Sequence, residues 1–399
     1  MKKPPALIWF FAYIFISLFF GLKYRVRIRR EAGRIKGPAM ILAPHVSGKD
    51  HLLVAMAAFP ERPNFVLSEH FMAIKPLRPV LKMIHAIPKK MYCADPRAVI
   101  QIKRAIRDGR TVVIFPEGRL TWYSRSLRLT DGTAELIKQL GANVYLAVSD
   151  GAGLTFPKWA KEKRRGMIDV RTSLLLPAGK IKTTDVSDIR KIIGGAIKHD
   201  DELSLPDVAF RARRGALSEG LENILWICPS CLGEGTLVTS GKTVSCSCGM
   251  KAAVDGHGTV TGLCRPGIKS VADWYEWCRE RIDTGKPLTF PCRVSRTDED
   301  GYMKKPSDGD RGIFTLTADS VGFEGRIGGE DVSFADPTDV IKGFPVSVGK
   351  HFDLYHQNRL YYVYPEGPGY LSVKAVSYLE RITKAAEGGP TGEPTFGKD

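Results

Sequence analysis

The chain is short of acidic residues, because 43 Asp and Glu stand against 59 Lys and Arg, which gives a formal net charge of +16. A protein this basic suits polyanionic partners: nucleic acid, an anionic membrane surface or a phosphorylated substrate. Charge alone does not choose among them. Hydrophobic residues make up 43% of the 399, which is enough to bury more than one core. The composition therefore predicts a folded protein of several domains.

Charge is missing altogether from the stretch Ala6 to Leu22, ALIWFFAYIFISLFFGL. A run of about 17 residues is near the lower limit for crossing a bilayer core, so it could span, enter and return, or lie in the interface. No second clear span follows, and no small-x-small cleavage site follows Phe20, which argues against a cleaved signal peptide. We predict that residues 1–24 are an N-terminal membrane segment.

Basic residues follow this run, as expected beside an anionic cytoplasmic leaflet. They are Lys23, Arg25, Arg27, Arg29 and Arg30. Four of the eight cysteines lie between residues 228 and 248, a pattern typical of metal ligands in a reducing compartment rather than of a disulfide framework. Both features predict attachment to the cell membrane with the folded body on the cytoplasmic face.

From residue 25 to residue 205, apolar strand-like runs alternate with helix-like stretches, which predicts the α/β class: a sheet with flanking helices. The runs begin at Ala39, Asn64, Thr111, Asn143 and Ser173. The polar, proline-interrupted residues 200–218 indicate a helix tail and a linker. A small module over 219–262, a helix plus β-rich domain over 263–386 and a disordered tail over 387–399 are predicted to follow.

His45 and Asp50 occur in PHVSGKDHLL, between the apolar run MILA and the helix-like run HLLVAMAAF. The pattern predicts a strand, a turn and the start of a helix. A histidine on such a turn can act as general base when a carboxylate reaches its second ring nitrogen, because the carboxylate fixes the tautomer and stabilises the imidazolium. From this motif alone, the alternative is that His45 caps the helix beside Ser47.

A second motif, VVIFPEGR, predicts a buried strand followed by a charged turn that ends at Arg119. Gly118 allows the backbone to approach a ligand closely, and Arg119 can bind a phosphate through two nitrogens. Glu117 would hold the acceptor or the arginine. The turn is therefore a candidate anion site.

Together, the His45–Asp50 pair and the later FPEGR segment resemble the PlsC-type glycerolipid acyltransferase family, over roughly residues 25–200. The resemblance implies that His45 deprotonates the acceptor hydroxyl while Asp50 orients His45. The hydroxyl oxygen would then attack the thioester of acyl-CoA or acyl carrier protein without a covalent enzyme intermediate. It also implies acceptor-binding roles for Glu117, Gly118 and Arg119, and membrane lipid as the surrounding partner.

Two positions depart from the family's pattern. Pro44 precedes the histidine where Asn is common, and Met91 stands where an arginine usually grips the acceptor phosphate. Lys89 or Lys90 can supply the charge but not the planar two-pronged contact. The resemblance favours 1-acylglycerol-3-phosphate as acceptor. The variant FPEGRLT is similar to that of bacterial acylglycerophosphoethanolamine acyltransferase modules, so a lysophospholipid acceptor is the alternative.

Two close cysteine pairs flank a hairpin-like segment, and four thiolates so arranged suit a closed tetrahedral Zn²⁺ site. The predicted ligands of this structural zinc ribbon are Cys228, Cys231, Cys246 and Cys248. The alternatives are four free cysteines, or His257 in place of one thiolate. Lys242 is the only basic residue between the pairs and no aromatic residue lies there, so we expect no nucleic-acid binding.

Two other function classes remain open from the sequence. One is a non-catalytic membrane scaffold that keeps the fold, which the intact His45, Asp50, Glu117 and Arg119 argue against. The other is a hydrolase in which the same base activates water to cleave acyl thioesters. The membrane segment and the anion site favour an acyl acceptor over water.

Overall fold

The computed structural model describes residues 3–386 apart from Cys93, Asp131, Lys342 and Asn358. The tail predicted for residues 387–399 lies outside these described residues. The described chain forms two compact units. Unit 1 comprises residues 3–90, 94–158 and 163–213, and unit 2 comprises the remainder.

Unit 1 contains a seven-stranded sheet in the order β1-β8-β6-β2-β5-β3-β4. Only the β6–β8 pairing is antiparallel among the neighbouring pairs of this sheet, so β1 and β8 run opposite to the other five strands. A separate ribbon pairs β7 with β9. The strands are β1 (Arg25–Arg30), β2 (Ala39–Leu42), β3 (Asn64–Ser68), β4 (Ile87–Lys89), β5 (Thr111–Ile114), β6 (Asn143–Asp150), β7 (Arg164–Arg165), β8 (Met167–Leu176) and β9 (Arg211–Ala212).

Eight α-helices of the described chain belong to unit 1, in addition to a short 3-10 helix over Glu69–Ala73. They are α1 (Ala6–Lys23), α2 (Asp50–Ala58), α3 (Arg78–Met83), α4 (Pro96–Arg107), α5 (Thr133–Leu140), α6 (Ala152–Thr155), α7 (Ala178–Thr183) and α8 (Val186–Ile197). The start of α4 shows a local signal, because the Asp95 carboxylate accepts the Ala98 amide at 3.1 Å and Pro96 occupies the first turn. The mixed α/β class predicted from the sequence is confirmed.

The central strand β2 is buried on both faces, which explains its continuous apolar sequence. Ala39 and Ile41 pack into the cluster that contains Val54 of α2. Met40 and Leu42 point to the other face, where they join a cluster from α5, α7 and α8. Helices therefore cover both sides of the sheet and leave its strand ends open to carry functional groups.

Helix α1 packs against the rest of unit 1 along its length. Near its start the Arg62 guanidinium donates to the Pro4 carbonyl at 2.6 Å, in its middle Tyr13 stacks on Phe59 with ring centroids 3.9 Å apart, and near its end Phe20 is fully buried. Its other side is apolar and exposed at helical spacing, at Leu7, Phe10, Phe11, Ile14, Phe15, Leu18 and Leu22. By length and composition α1 could cross a membrane.

The basic residues after α1 form the edge strand β1. The Arg29 Nε donates to Asp169 at 3.0 Å, and the Arg30 guanidinium donates to the carbonyls of Met56 and Ala57 at 3.1 and 2.9 Å. Two of the five predicted membrane-flanking cations thus also hold the edge of the sheet in place.

Unit 2 contains two antiparallel sheets and two α-helices, namely α9 (Val271–Glu280) and α10 (Leu371–Ala386). The smaller sheet has four strands: β10 (Leu237–Ser240), β11 (Thr243–Cys246), β12 (Lys251–Val254) and β13 (Val260–Thr261). The larger has the order β17-β16-β15-β14-β20-β19-β18. Its strands are β14 (Leu288–Arg296), β15 (Arg311–Leu316), β16 (Ser320–Ile327), β17 (Glu330–Pro337), β18 (Val346–Ser347), β19 (His351–His356) and β20 (Arg359–Pro365). Trp274 and Tyr275 of α9 are fully buried, and the Tyr275 hydroxyl bonds Ser377 of α10 at 2.8 Å.

Candidate active site

The two sequence motifs meet because β2 and β5 are parallel neighbours. His45 follows β2 and Glu117 follows β5. The carboxyl ends of adjacent parallel strands lie at one edge of a sheet, where open α/β folds bind ligands. The strand order therefore brings together two segments that are distant in sequence.

His45 and Asp50 form a hydrogen-bonded pair, with His45 Nδ1 3.0 Å from Asp50 Oδ2. Asp50 is the first residue of α2, and the same Oδ2 also accepts the Ser47 amide at 2.8 Å, which closes the turn between the two residues. A proton on Nδ1 leaves Nε2 as the proton acceptor. The His45 side chain is 23% exposed while that of Asp50 is 1% exposed, so the base reaches solvent and its partner does not.

Burial raises the pKa of Asp50, while the hydrogen bonds from His45 and the Ser47 amide lower it. The start of α2 also favours a negative charge, because its free amides carry partial positive charge. The His45 ring lies on the Phe115 ring, with centroids 4.3 Å apart and planes inclined by 25°. The imidazole is thus fixed by a carboxylate at one edge and an aromatic ring on one face.

Glu117 is buried and bridges two loops. Its Oε1 accepts the His45 amide at 2.8 Å and its Oε2 accepts the Leu127 amide at 2.5 Å. Burial raises the pKa of Glu117 to about 7, against the two amide hydrogen bonds, which lower it. Both carboxylate oxygens are therefore engaged in holding the backbone on which His45 sits.

Gly118 and Arg119 complete the turn after β5. Gly118 has φ +78°, a left-handed conformation that favours glycine. The Arg119 guanidinium lies 4.1 Å from the centre of the Trp122 ring and donates to the Leu120 carbonyl at 3.3 Å. A guanidinium carries a planar fork of N–H groups, which is the geometry that bidentate binding of an anion requires.

Lys89 and Lys90 lie at the carboxyl end of the edge strand β4, with β3 between β4 and β5. Lys89 Nζ donates to the Lys90 carbonyl at 3.2 Å, and the Lys90 amide donates to Asp95 at 2.8 Å. They share the sheet edge with the His45 and Glu117 turns. The hydrogen bonds that join His45, Asp50 and Glu117 in one network do not involve these lysines.

Sequence reasoning missed several groups that fix the site. The Thr121 amide donates to the His45 carbonyl at 2.9 Å, and the Ser47 and Leu127 amides bind the two carboxylates described above. These are backbone groups, which leave no residue-specific signal. Phe115, by contrast, lies inside the FPEGR motif and could have been found there.

The four predicted zinc ligands converge in unit 2. Cys228 Sγ is 3.7 Å from Cys248 Sγ, Cys231 Sγ is 3.7 Å from Cys246 Sγ, and all four sulfur atoms lie within 4.8 Å of one another. A tetrahedron with Zn–S bonds of about 2.3 Å has sulfur–sulfur edges of about 3.8 Å. The four thiols therefore fit a zinc ion, and His257 is not part of this group of described residues.

Residues 24–148 match the family model described as Acyltransferase. Among solved structures, the chain is similar to the 1-acyl-sn-glycerophosphate (LPA) acyltransferase PlsC from Thermotoga maritima, with 14% sequence identity and a TM-score of 0.42. That alignment covers 48% of this chain and 77% of the other. The residues that match this family model include His45, Asp50 and the Glu117–Arg119 turn.

Proposed function

We propose that unit 1 transfers a fatty acyl group from acyl-CoA or acyl carrier protein to the free hydroxyl of 1-acylglycerol-3-phosphate in phospholipid biosynthesis. The carrying observation is the partly exposed His45 whose Nδ1 lies 3.0 Å from the buried Asp50. This arrangement leaves one imidazole nitrogen free to take a proton from an acceptor. The family match over residues 24–148 supports the reaction class.

In this mechanism His45 Nε2 removes the proton of the acceptor hydroxyl while the oxygen attacks the thioester carbonyl carbon. Asp50 stabilises the imidazolium that forms. Collapse of the tetrahedral intermediate makes the new ester and breaks the carbon–sulfur bond, and the imidazolium returns its proton to the leaving thiolate. No covalent bond to the enzyme is formed, because the acceptor oxygen attacks the thioester directly, and His45 ends the cycle in its original protonation state.

The acceptor phosphate would be bound by Arg119, with Gly118 allowing close approach of the backbone. Lys89 and Lys90 would add positive charge from the end of β4. Glu117 would act on acceptor binding indirectly, because its two carboxylate oxygens accept the His45 and Leu127 amides and so hold these two segments together. The removal of Glu117 would therefore disturb base and acceptor together.

A lysophospholipid such as acylglycerophosphoethanolamine is the second candidate acceptor. Arg119 is only 9% exposed and lies over the Trp122 ring. Met91 stands where the family pattern has an arginine that grips the phosphate, so only Lys89 and Lys90 beside it can supply that charge. A phosphodiester carries one negative charge where a phosphomonoester carries about two, so it needs fewer cationic contacts.

The exposed apolar side of α1 supports attachment to the cell membrane, and we propose that the body faces the cytoplasm. Because α1 contacts the rest of unit 1 at its start, middle and end, it would lie in the interface with this side in lipid rather than cross the bilayer.

In unit 2, we propose a structural Zn²⁺ held by the four cysteine thiols, whose spacing fits a closed tetrahedral site.

The test is acyl transfer by the purified full chain in detergent, from labelled acyl-CoA or acyl carrier protein to a panel of lysophospholipids. We expect labelled diacyl product from 1-acylglycerol-3-phosphate, with loss of at least about a hundredfold in His45→Ala, the usual contribution of a general base. Product from lysophosphatidylethanolamine alone would select the second acceptor. Free fatty acid as the sole product would replace the transferase by a thioester hydrolase. Equal transfer activity of wild type and His45→Ala would overturn the assignment of His45 as the general base, and the absence of any product from both proteins would leave the non-catalytic scaffold.

A further inference from the structure

A second histidine–aspartate pair lies in unit 1, outside the catalytic scheme. Asp201 is fully buried, and its carboxylate lies 2.8 Å from His199 Nε2. The same carboxylate accepts the amides of Gly151 at 2.6 Å and Gly153 at 2.5 Å. Gly151 is the turn residue between β6 and α6, and Gly153 lies in the first turn of α6. Asp201 therefore fixes the end of β6, the strand that neighbours β2 on the side away from β5.

The backbones of His199 and Asp201 also hold the loop that follows the Glu117–Arg119 turn. The Asp201 amide donates to the Ser124 carbonyl at 3.0 Å, and the Ser126 amide donates to the His199 carbonyl at 2.8 Å. Ser124 itself has φ +64°, a strained conformation for a residue with a side chain. The loop it belongs to reaches the His45 carbonyl through the Thr121 amide. Two backbone hydrogen bonds thus hold a loop that is itself hydrogen-bonded to the backbone of His45.

Gly153 brings the pair against the His45 turn itself. A Cβ at Gly153 would lie 2.8 Å from Asp201 Oδ2, 3.1 Å from Ser124 Oγ and 3.1 Å from the carbonyl oxygen of Val46, the residue after His45. Only glycine leaves room for these three segments to approach so closely. Gly153 therefore lies where the Asp201 carboxylate, the Ser124 side chain and the Val46 carbonyl come close together, so a displacement of Asp201 would shift Gly153 relative to the Val46 carbonyl.

The charges around His199 suit a protonated imidazole. Asp201 lies at one ring nitrogen, Asp150 Oδ1 lies 3.6 Å from the other, and Arg171 donates to Asp150 at 2.6 Å. Burial lowers the pKa of His199, but the hydrogen bond to Asp201 and the charges of Asp201, Asp150 and Asp50 together raise it above the usual value. A proton on this ring would be stabilised by Asp201 and Asp150, which lie beside its two nitrogens.

We propose that His199 and Asp201 are positioning residues for the His45–Asp50 pair: they hold the β6–α6 turn, the Ser124 loop and the His45 turn in one fixed arrangement. The kinetic part of this inference rests on the proposed acyl transfer. The geometric part is that the pair fixes the orientation and the tautomer of the His45 ring, and this part does not depend on the identity of the substrate.

The test compares His199→Gln and Asp201→Asn with wild type in the purified full chain. Glutamine keeps a hydrogen-bond donor for Asp201 but removes the titratable ring, so this variant is expected to fold even where Asp201→Asn does not. His356→Gln is the matched control, because His356 Nδ1 makes a similar bond to Asp336 at 2.8 Å in unit 2. Two quantities are measured: kcat and KM for lysophosphatidic acid, and the side-chain ¹⁵N shifts of histidine-labelled protein, with His45 assigned by its own substitution.

We expect His199→Gln to lower kcat by about tenfold or more with KM changed less than about twofold, since small displacements of a catalytic group have effects of this size. The His45 ¹⁵N shifts should move away from those of a ring with its proton on Nδ1, and the His356→Gln protein should match wild type in both readouts. Unchanged His45 shifts in a folded His199→Gln protein would overturn the inference, even if less protein were active. If wild type acylates no acceptor but the His45 shifts respond, the proposed function fails and the positioning role stands.

Discussion

Replacement of Gly118 by alanine should destabilise the turn that carries Glu117 and Arg119. Gly118 has φ +78°, and a Cβ there would lie 2.7 Å from Thr130 Cγ2. The left-handed conformation costs a residue with a Cβ about 1–2 kcal/mol, and forcing a methyl group into a packed site costs about 1–3 kcal/mol. We therefore expect the free energy of unfolding to fall by about 2–5 kcal/mol. Activity should fall too, because Glu117 holds the His45 amide.

The steric share of this effect can be isolated. Thr130→Ser removes Cγ2 but keeps the hydroxyl that donates to the Pro116 carbonyl at 2.9 Å. The double variant Gly118→Ala/Thr130→Ser should therefore recover the steric share, about 1–3 kcal/mol, and keep the backbone share. Gly141→Ala is the control for backbone strain alone, because Gly141 has φ +58° and nothing within 4 Å of an added Cβ. It should lose about 1–2 kcal/mol and remain fully active.

Urea denaturation of the full chain gives the free energies, and initial rates of acyl transfer give the activities. If Gly118→Ala and the double variant lost the same free energy of unfolding, the Thr130 methyl group would not be the source of the steric cost. A Gly118→Ala protein as stable and active as wild type would refute the geometry assigned to the turn.

Three further substitutions test the buried Glu117, the four-cysteine site and the exposed side of α1. The pKa of Glu117 is about 7 in the folded protein against 4.5 for an ordinary glutamate. Its contribution to stability should therefore be full below pH 4.5 and should be lost as the pH rises through 7, which melting temperatures of wild type and Glu117→Gln across this range would measure. Cys231→Ser should abolish equimolar zinc binding and lower the melting temperature, whereas Cys264→Ser should keep zinc, as measured by elemental analysis. Phe15 is 72% exposed on α1, so Phe15→Ser should weaken the free energy of binding to lipid vesicles by about 2 kcal/mol, as measured by flotation with vesicles. Val238→Ser in unit 2 is the control and should leave flotation unchanged.

The central strands of unit 1 were predictable because they are buried on both faces. The runs at Ala39 and Thr111 are continuously apolar, as parallel strands under helices on both sides must be. The strand β1 was missed, because its sequence RVRIRR looks like a basic flank of the membrane segment. It lies at the edge of the sheet, where Arg29 satisfies the buried Asp169. An edge strand needs little apolar sequence, so its position was set by long-range pairing with β8.

The His45–Asp50 pair was predictable from its short spacing in the sequence. His45 and Asp50 lie on one turn at the start of α2, so their spacing alone brings the ring and the carboxylate together. The bond from the His45 amide to Glu117 depends instead on β2 and β5 being neighbours. The order of strands in a sheet follows from tertiary packing, and no spacing within either motif specifies it.

The segment after α8 shows why a polar sequence can mislead. The polar, proline-interrupted sequence of residues 200–218 predicts a helix tail and a linker, and charged residues are seldom fully buried unless they are paired. Asp201 is fully buried all the same, since the Gly151 and Gly153 amides, the His199 ring and the Ser204 hydroxyl surround its two oxygens. An unpaired charge at that depth would cost several kcal/mol. The desolvation of Asp201 is therefore offset by groups from a distant turn, and the same hydrogen bonds that make its burial possible connect it to the turn beside His45.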